Sequence, residues 1–258
     1  EVVVVDNLSK GIKKLVDKKA KFYEVDLVNK EGLEKVFKQN KIDAVMHFAA
    51  YKAVGESMEN AVKYSDNIKG TINLLDLMVQ FKVKKMIFSS SAAVYGLPGV
   101  SVATEETSTE PISYYGFTKI ECERLIEWYS KVYELDYIAL RYFNVAGDGG
   151  LNYLDPAPEN VMPIIMEVLV GKRDKFTIFG NDYDTRDGTC VRDYIDINDL
   201  VDAHVLALGV KGKEIINLGT STGVSVKELV EATIAVTGKD FPHEYGKRRL
   251  GDCAELVA

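Results

Sequence analysis

The 258-residue sequence predicts an α/β fold with a doubly wound parallel sheet, followed along the chain by a smaller mixed domain for substrate binding. Three observations predict it. Short apolar runs rich in Val, Ile, Phe or Met alternate with helical patterns, these runs lack polar alternation, and one of them ends in serines. Strands covered by helices on both faces have such continuous runs, and their carboxyl ends bind ligands.

The first half of the chain contains five candidate strands and three candidate helices. The strands are predicted at Val2 to Val5, Lys21 to Val25, Ala44 to Phe48, Lys85 to Ser89 and Tyr137 to Phe143. Helices are predicted around Leu33 to Phe37, from Met58 to Phe81, and from Cys122 to Tyr133, where apolar residues recur at helical spacing. Residues 1–146 are therefore predicted to form the larger domain.

The second half is less regular. A glycine-rich segment from Gly147 to Gly150 predicts a loop. Beyond it we predict helices at Val161 to Val170 and Asn198 to Leu208, a strand at Phe176 to Phe179, and a capping box at Ser225 to Glu228 that opens a helix through Val236. Residues 147–258 are predicted to form mainly the substrate region, with some segments returning to the first domain.

Composition disfavours two classes of partner. The formal net charge of −7 argues against nucleic acid, since phosphate backbones are bound by clustered cations. No apolar run approaches the roughly 20 residues that span a bilayer, which argues against a membrane partner. An anionic ligand would need local cations that act against the negative charge of the whole chain.

The cysteines and histidines indicate no metal site. Three cysteines are scattered and odd in number, so they predict neither a disulfide framework nor a zinc site and fit a reducing cytoplasm. The three histidines have no ligand spacing, and we expect them to be packing or surface residues. These residues are Cys122, Cys190, Cys253, His47, His204 and His243.

A tyrosine and a lysine four residues apart, Tyr115 and Lys119, lie on one face of the third helix. A tyrosine pKa is near 10, and an ammonium about 4 Å away can lower it to about 7. Ser91, in the serine run after Phe88, adds a hydroxyl that can bond the same substrate oxygen. This combination suits proton abstraction from an alcohol. Tyr-x-x-x-Lys also occurs by chance as a surface pair, and the serine run favours the catalytic interpretation.

The first predicted strand ends in Asp6 and Asn7. In dinucleotide-binding folds an acidic residue after the second strand accepts hydrogen bonds from the adenosine ribose, which favours NAD over NADP. Capping of the next helix is an equally good explanation of this pair. The glycine-rich turn that should precede such a strand is absent, and the chain opens on Glu1. We therefore expect a Rossmann-like fold without its first strand and glycine-rich turn.

Nine segments together resemble the extended short-chain dehydrogenase/reductase superfamily and, within it, the UDP-glucose 4-epimerase family. The resemblance covers nearly the whole chain, and residues 52–57 and 180–183 are its most specific parts. Besides the serine run, the segments are Asp6 to Ser9, Tyr23 to Leu27, His47 to Ala50, Lys52 to Ser57, Leu140 to Asn144, Phe179 to Tyr183, Val191 to Ile195 and Arg249 to Asp252. By this resemblance the chain also stops before the last helices of the family, and we expect truncation at both ends.

The resemblance implies a bound NAD cofactor and a nucleotide sugar, UDP-glucose or UDP-galactose, epimerised at C4. The implied catalytic residues are Ser91, Tyr115 and Lys119. The implied NAD-site residues are Asp6, Asn7, Asp26, Leu27, Phe48, Ala49, Ala50, Lys52, Asn67, Tyr115, Lys119, Tyr142 and Phe143. The implied substrate-site residues are Ser91, Tyr115, Asn144, Asn160, Phe179, Arg192, Arg249 and Asp252.

Some of these residues have plain structural alternatives. Arg192 could instead form a salt bridge with Asp193 or Asp196, and Arg249 with Asp252 could be a solvated turn. Lys52 could be a surface lysine and Asn144 a turn residue. The resemblance further implies a homodimer, in which the helices at 58–81 and 116–134 pair.

Other functions are weighed against epimerisation. A nucleotide-sugar 4,6-dehydratase needs a carboxylic acid and a carboxylate beside the sugar, and Ala92 and Ala93 stand at those places. A decarboxylase or dehydrogenase of a related sugar matches residues 52–57 less well. A catalytically silent nucleotide-binding protein is the alternative from another class.

Overall fold

A computed structural model describes residues 1–153, 158, 160–249 and 252–258. These residues form two compact units. The first unit comprises residues 1–94, 113–140 and 203–216, and the second comprises residues 95–112, 141–202 and 217–258. The units are interleaved along the chain, and the boundary predicted after residue 146 falls within the second unit. Leu250 and Gly251, inside the predicted segment from Arg249 to Asp252, lie outside the described residues.

The first unit contains parallel strands whose bounds agree with the predicted ones to within two residues. A two-stranded parallel sheet pairs β1 (Val3–Asp6) with β2 (Lys21–Glu24). A second sheet has the order β3 (Val45–His47), β4 (Lys85–Ser91), β5 (Asp136–Tyr142), β9 (Lys213–Leu218), and β3 is parallel to β4. Strand β4 continues two residues beyond the prediction, so all three serines belong to it.

The helices around these strands are α1 (Lys30–Gln39), α2 (Val54–Glu59), α3 (Ala61–Tyr64), α4 (Asp66–Gln80), α5 (Tyr114–Tyr133) and part of α7 (Ile197–Ala207). The prediction of one helix from Met58 to Phe81 was wrong. Asn60 has non-helical dihedrals, and its side chain accepts the Lys63 N–H as the N-cap of α3. Such a side chain competes for the backbone, and so the apolar stripe is divided into short helices.

Helices α4 and α5 pack against β4 to form the core of the first unit. Met78 of α4, Phe88 of β4 and Ile126 of α5 are each at most 1% exposed. Continuous apolar sequence in β4 is explained by this burial on both faces. The core fixes the start of α5 relative to the end of β4, where the predicted catalytic residues lie.

The second unit is built around a mixed sheet, which the sequence did not predict. In it β8 (Val191–Asp196) pairs in parallel with β6 (Asn144–Ala146) and β12 (Glu255–Leu256), and antiparallel with β10 (Gly223–Ser225). A separate parallel pair joins β7 (Phe176–Phe179) to β11 (His243–Gly246), with α6 (Val161–Leu169) and α8 (Val226–Thr237) beside it. No described helix is both long and apolar enough to cross a bilayer.

The predicted capping box at the start of α8 is confirmed. The Ser225 hydroxyl accepts the Glu228 N–H at 3.0 Å, and the Glu228 carboxylate accepts the Ser225 N–H at 2.8 Å. The five strands of the second unit other than β7 were not predicted, because they are short and carry mixed polar and apolar residues.

Candidate functional site

Tyr115 and Lys119 lie one turn apart at the start of α5 and are both buried, at 8% and 4% exposure. The Lys119 ammonium donates to the Ser89 carbonyl at 2.7 Å, and its Nζ lies 5.9 Å from the centre of the Tyr115 ring. It also lies 5.0 Å from the centre of the Phe88 ring. The alternative of a surface pair is therefore wrong: the two side chains share a buried position beside the end of β4.

Local hydrogen bonds fix the start of α5. Ser113 is its N-cap and accepts the Gly116 N–H at 3.1 Å. The Tyr115 N–H donates at 3.0 Å to the hydroxyl of Ser57, which itself donates to the Val54 carbonyl at 2.6 Å. Ser57 ends the segment of residues 52–57 that carried much of the resemblance. This segment therefore helps to position the tyrosine that follows it by almost sixty residues.

Burial changes the protonation of the charged and titratable groups near β4. It lowers the pKa of Lys119 to about 8, while Cys122 and Glu123 act in the opposite direction. At pH 7 the group is therefore predominantly an ammonium. Burial, with a smaller effect from the Lys119 charge, lowers the pKa of His47 to about 3. His47 is neutral at pH 7 and lies 3.0 Å from the Thr71 hydroxyl, as expected of a packing histidine.

Each serine of the run has a different partner. The Ser89 hydroxyl lies 3.1 Å from Nε2 of buried His204, and the Ser90 hydroxyl donates to buried Glu123. Ser91 is only half-buried, and its oxygen accepts the Ala93 N–H at 3.2 Å, which leaves its O–H to donate. His204 was expected to be a packing or surface residue, and it is buried. Glu123 was not selected from the sequence, although a carboxylate four residues after Lys119 was a usable signal.

Two carboxylates, of Asp6 and Asp26, lie at or just after the carboxyl ends of β1 and β2. Asp6 accepts the Leu8 N–H at 2.6 Å, and Asp26 accepts the Asn7 side-chain amide at 2.8 Å. The proposed helix cap is wrong, since Asp6 and Asn7 each accept the N–H two residues on and form turns. A Cβ at Gly11 would lie 2.5 Å from the Asp6 carboxylate, so the backbone approaches this group closely.

The other predicted NAD-site residues of the first unit lie in the segment after β3, in α4 and after β2. Phe48 is 53% exposed, and its ring centre lies 4.7 Å from that of His204. Ala49 and Lys52 are exposed and Ala50 is half-buried. Asn67 is buried and bonds the backbone of Tyr51 and the hydroxyl of Thr118, and Leu27 packs against Gly70.

These residues fit a dinucleotide in their chemistry. Carboxylates at the ends of two adjacent parallel strands are acceptors for ribose hydroxyls. The exposed ring of Phe48 follows β3, and the buried Lys119 ammonium lies against β4. With the carboxylates, they form a set of apolar and polar groups suited to a nicotinamide nucleotide. The residues of the first unit thus fit NAD.

The second unit contains a cluster of two arginines bridged by one carboxylate. Asp252 accepts Arg249 Nε at 3.0 Å and lies 3.7 Å from an Arg192 nitrogen. The Arg249 guanidinium lies 4.8 Å from the centre of the Phe179 ring. The proposed pairing of Arg192 with Asp193 or Asp196 is therefore wrong, because Asp252 is its partner.

Beside this cluster, the Tyr194 hydroxyl is buried and has no hydrogen-bond partner in the described part of the chain. Burial raises the pKa of Tyr194 to about 12, and the positive charges of Arg192 and Arg249 act against that rise. A buried hydroxyl without a partner costs free energy. The two guanidinium groups are themselves donors that suit a ligand with acceptor oxygens.

The remaining predicted residues lie at strand and helix ends. Asn144 begins β6 and donates to the Asp193 carbonyl at 3.3 Å, and Asn160 precedes α6 without capping it by its side chain. Tyr142 ends β5, and the next residue, Phe143, is 9% exposed. The structure brings Ser91, Tyr115 and Lys119 to one unit and the two arginines with Phe179 and Asp252 to the other.

Comparisons with known proteins identify the family of this chain. The model of the NAD dependent epimerase/dehydratase family matches residues 1–219. UDP-glucose 4-epimerase of Lactobacillus helveticus is 47% identical over 267 residues, which cover 100% of this chain and 81% of that protein. A crystal structure of a UDP-glucose 4-epimerase superposes with a TM-score of 0.95 at 46% identity, covering 99% of this chain and 80% of the other.

A second solved structure carries ligands. The UDP-glucose 4-epimerase of Bifidobacterium longum, in complex with NAD+ and UDP, superposes with a TM-score of 0.93 at 37% identity and covers 100% of this chain and 82% of the other. The α/β fold and the expected family are thereby confirmed. By the length of the family match and by the similarity of these relatives, the chain belongs to the NAD dependent epimerase/dehydratase family.

Proposed function

We propose that this protein interconverts UDP-glucose and UDP-galactose by transient NAD-dependent oxidation at C4 of the sugar. The observation that carries the proposal is the buried Tyr115–Lys119 pair beside the serine-bearing end of β4, in a chain with these relatives. An acid–base tyrosine next to a fixed ammonium suits removal and return of a proton at an alcohol.

In this proposal, Tyr115 takes the proton of the sugar 4-hydroxyl and later returns it. Lys119 favours the phenolate by its positive charge, and Ser91 donates its free O–H to the same sugar oxygen. Bound NAD would supply the acceptor for the C4 hydride, and return of that hydride to the opposite face of the 4-keto sugar would invert C4 without consuming NAD. Burial of the pair excludes water from the charged intermediates and strengthens their interaction.

Binding roles follow from the donor sets. We assign Asp6, Asn7, Asp26, Leu27, Phe48, Ala49, Ala50, Lys52, Asn67, Tyr142 and Phe143 to NAD binding, with Tyr115 and Lys119. We assign Asn144, Asn160, Phe179, Arg192, Arg249 and Asp252 to the nucleotide sugar. The planar guanidinium groups suit the diphosphate, and they supply the local positive charge that an acidic chain needs.

We further infer a homodimer and a cytoplasmic location. Trp128 and Val132, four residues apart on α5, are each 62% exposed, and such a stripe favours burial against a second copy. Sedimentation velocity should give the mass of a dimer, and a monomer at micromolar concentration would count against it. The described cysteines Cys122, Cys190 and Cys253 are all free thiols, as suits a reducing compartment.

Dehydration is less well supported. The residues after Ser91 are Ala92 and Ala93, which offer no acid or base to expel water from the sugar. A purely nucleotide-binding role has no use for the buried Tyr115–Lys119 pair.

The test of the proposed function is a coupled assay. Purified protein with added NAD is given UDP-galactose, and UDP-glucose formation is followed through UDP-glucose dehydrogenase. Formation of UDP-glucose from UDP-galactose supports the proposal. Binding of NAD and UDP without any turnover would contradict the proposal and favour a catalytically silent nucleotide-binding protein.

The arginine cluster gives a prediction about substrate affinity. Arg249→Met is expected to raise KM for UDP-galactose by about 10- to 100-fold and to change kcat little, because a charge-assisted bond to a diphosphate contributes about 1.5–3 kcal/mol. Steady-state kinetics check this. Arg248→Met is the matched control, since Arg248 instead bonds Asp182 at 2.7 Å and lies over the Tyr183 ring. Equal effects of the two substitutions on KM would contradict the assignment.

A further inference from the structure

A buried carboxylate next to the catalytic pair has no role in the function proposed above. Glu123 is 4% exposed and lies four residues after Lys119, on the same face of α5. Its carboxylate accepts the hydroxyl of Ser90, which is fully buried. A carboxylate this deeply buried requires compensation by hydrogen bonds or by an opposite charge.

The two charged residues attach α5 to consecutive positions of β4. Lys119 donates to the Ser89 carbonyl at 2.7 Å, and Glu123 accepts the side chain of the next residue, Ser90. The residue after these two is Ser91. Three successive residues of one strand therefore bond Lys119, bond Glu123 and carry the predicted catalytic hydroxyl.

Among the described groups whose charge acts on Lys119, Glu123 carries the one carboxylate. On α5 the other neighbours are the Tyr115 phenol and the Cys122 thiol, and burial raises the pKa of Cys122. Strand β4 contributes the Phe88 ring and the Ser89 carbonyl, which carry no net charge. Strand β3 contributes His47, which is neutral because burial lowers its pKa to about 3.

We propose that Glu123 is a positioning residue for the reaction: its carboxylate keeps Lys119 in the ammonium form and fixed against β4, so that Tyr115 is faced by a full positive charge. The inference rests on the function proposed for the Tyr115–Lys119 pair. Without the anion, the buried ammonium would lose its proton more readily, since burial alone disfavours the charged form. A neutral amine would no longer stabilise the phenolate.

The test is Glu123→Gln, which keeps the shape and an acceptor for the Ser90 hydroxyl but removes the charge. The primary measurement is a pH titration of the lysine ¹⁵Nζ resonances, in which the Lys119 signal is assigned by its absence from Lys119→Met. The pKa of Lys119, about 8 in the unchanged protein, is expected to fall by about 1 unit or more. The high-pH limb of the plot of kcat against pH should shift to lower pH by the same amount, with KM for UDP-galactose unchanged.

Glu121→Gln is the matched control. Glu121 lies on the same helix two residues earlier, and it is a partly exposed partner of Arg124 at 2.6 Å. Its substitution is expected to leave the Lys119 titration and the kcat profile unchanged. An unmoved Lys119 titration in Glu123→Gln would overturn the inference, even if the variant were less stable, because a purely structural role predicts that result.

A second variant keeps the inference testable if Glu123→Gln does not fold. Adding Lys119→Met removes the uncompensated cation, so Glu123→Gln/Lys119→Met should fold and unfold at a higher urea concentration than Glu123→Gln alone. Failure of the double variant to restore folding would contradict the inference. The titration needs no turnover. A lowered Lys119 pKa in Glu123→Gln, with an unchanged protein that shows no turnover, would refute only the proposed epimerase function. An unchanged Lys119 pKa in Glu123→Gln, with an unchanged protein that is an active epimerase, would refute only the role of Glu123.

Discussion

Tyr115→Phe is expected to lower kcat by about 10²- to 10⁴-fold and to leave KM for UDP-galactose within about threefold. Phenylalanine keeps the ring that packs at the start of α5 but has no hydroxyl to accept or return the proton. The Lys119 ammonium, 5.9 Å from the ring centre, then has no phenolate to stabilise. The coupled assay at saturating UDP-galactose measures the effect, and circular dichroism checks that the fold is intact.

Tyr114→Phe is the control for this substitution. Tyr114 is the preceding residue of α5, and its hydroxyl lies 2.7 Å from the Ser65 hydroxyl. The same atom is removed one residue away, where it serves packing of α5 on the segment before α4. Its kcat should stay within about threefold of the unchanged protein. If Tyr115→Phe retained as much activity as Tyr114→Phe, the phenol would have no part in the chemistry.

The proposed catalytic residues could be selected from the sequence because the information that selects them is local. Two positions four apart on a helix must share a face, and a polar run after an apolar strand must lie at the end of that strand. Tyr115, Lys119 and Ser91 satisfy these rules without any knowledge of tertiary contacts. Strands β4 and β5 were predicted for a related reason, since burial on both faces leaves a continuous apolar run.

The partners of the cluster could not be predicted, because they depend on contacts distant in sequence. His204 reaches Ser89 across 115 residues, and the Ser57 hydroxyl reaches the N–H of Tyr115 across 58. Side-chain capping by Asn60 broke a predicted long helix, although its apolar pattern continued. The pairing of Arg192 with Asp252 was missed for the same reason, since two nearer acidic residues were available.

Asp193→Asn is expected to lower the free energy of unfolding by about 3 kcal/mol or more. Asp193 is fully buried in β8, and one carboxylate oxygen accepts the N–H and hydroxyl of Thr220, each at 2.8 Å. The other accepts the N–H groups of Ser221 at 3.0 Å and Ala258 at 3.2 Å. In an asparagine, the NH₂ group would replace one of these acceptor oxygens and face two donors, which would leave buried groups unpaired. Urea unfolding followed by circular dichroism measures the loss.

Asp196→Asn is the matched control, because it makes the same change at the end of the same strand. Asp196 is exposed, and its carboxylate accepts the backbone N–H of Asn198 at 2.8 Å, which an asparagine can also do. Its effect should stay within about 0.5 kcal/mol. Similar unfolding midpoints for the two variants would mean that the Asp193 bonds contribute little. A large difference would mean that Asp193 joins the loop at 220–221 and residue 258 to β8, the strand that also carries Arg192 and Tyr194. In that case part of the proposed affinity for the nucleotide diphosphate depends on a residue that never touches it.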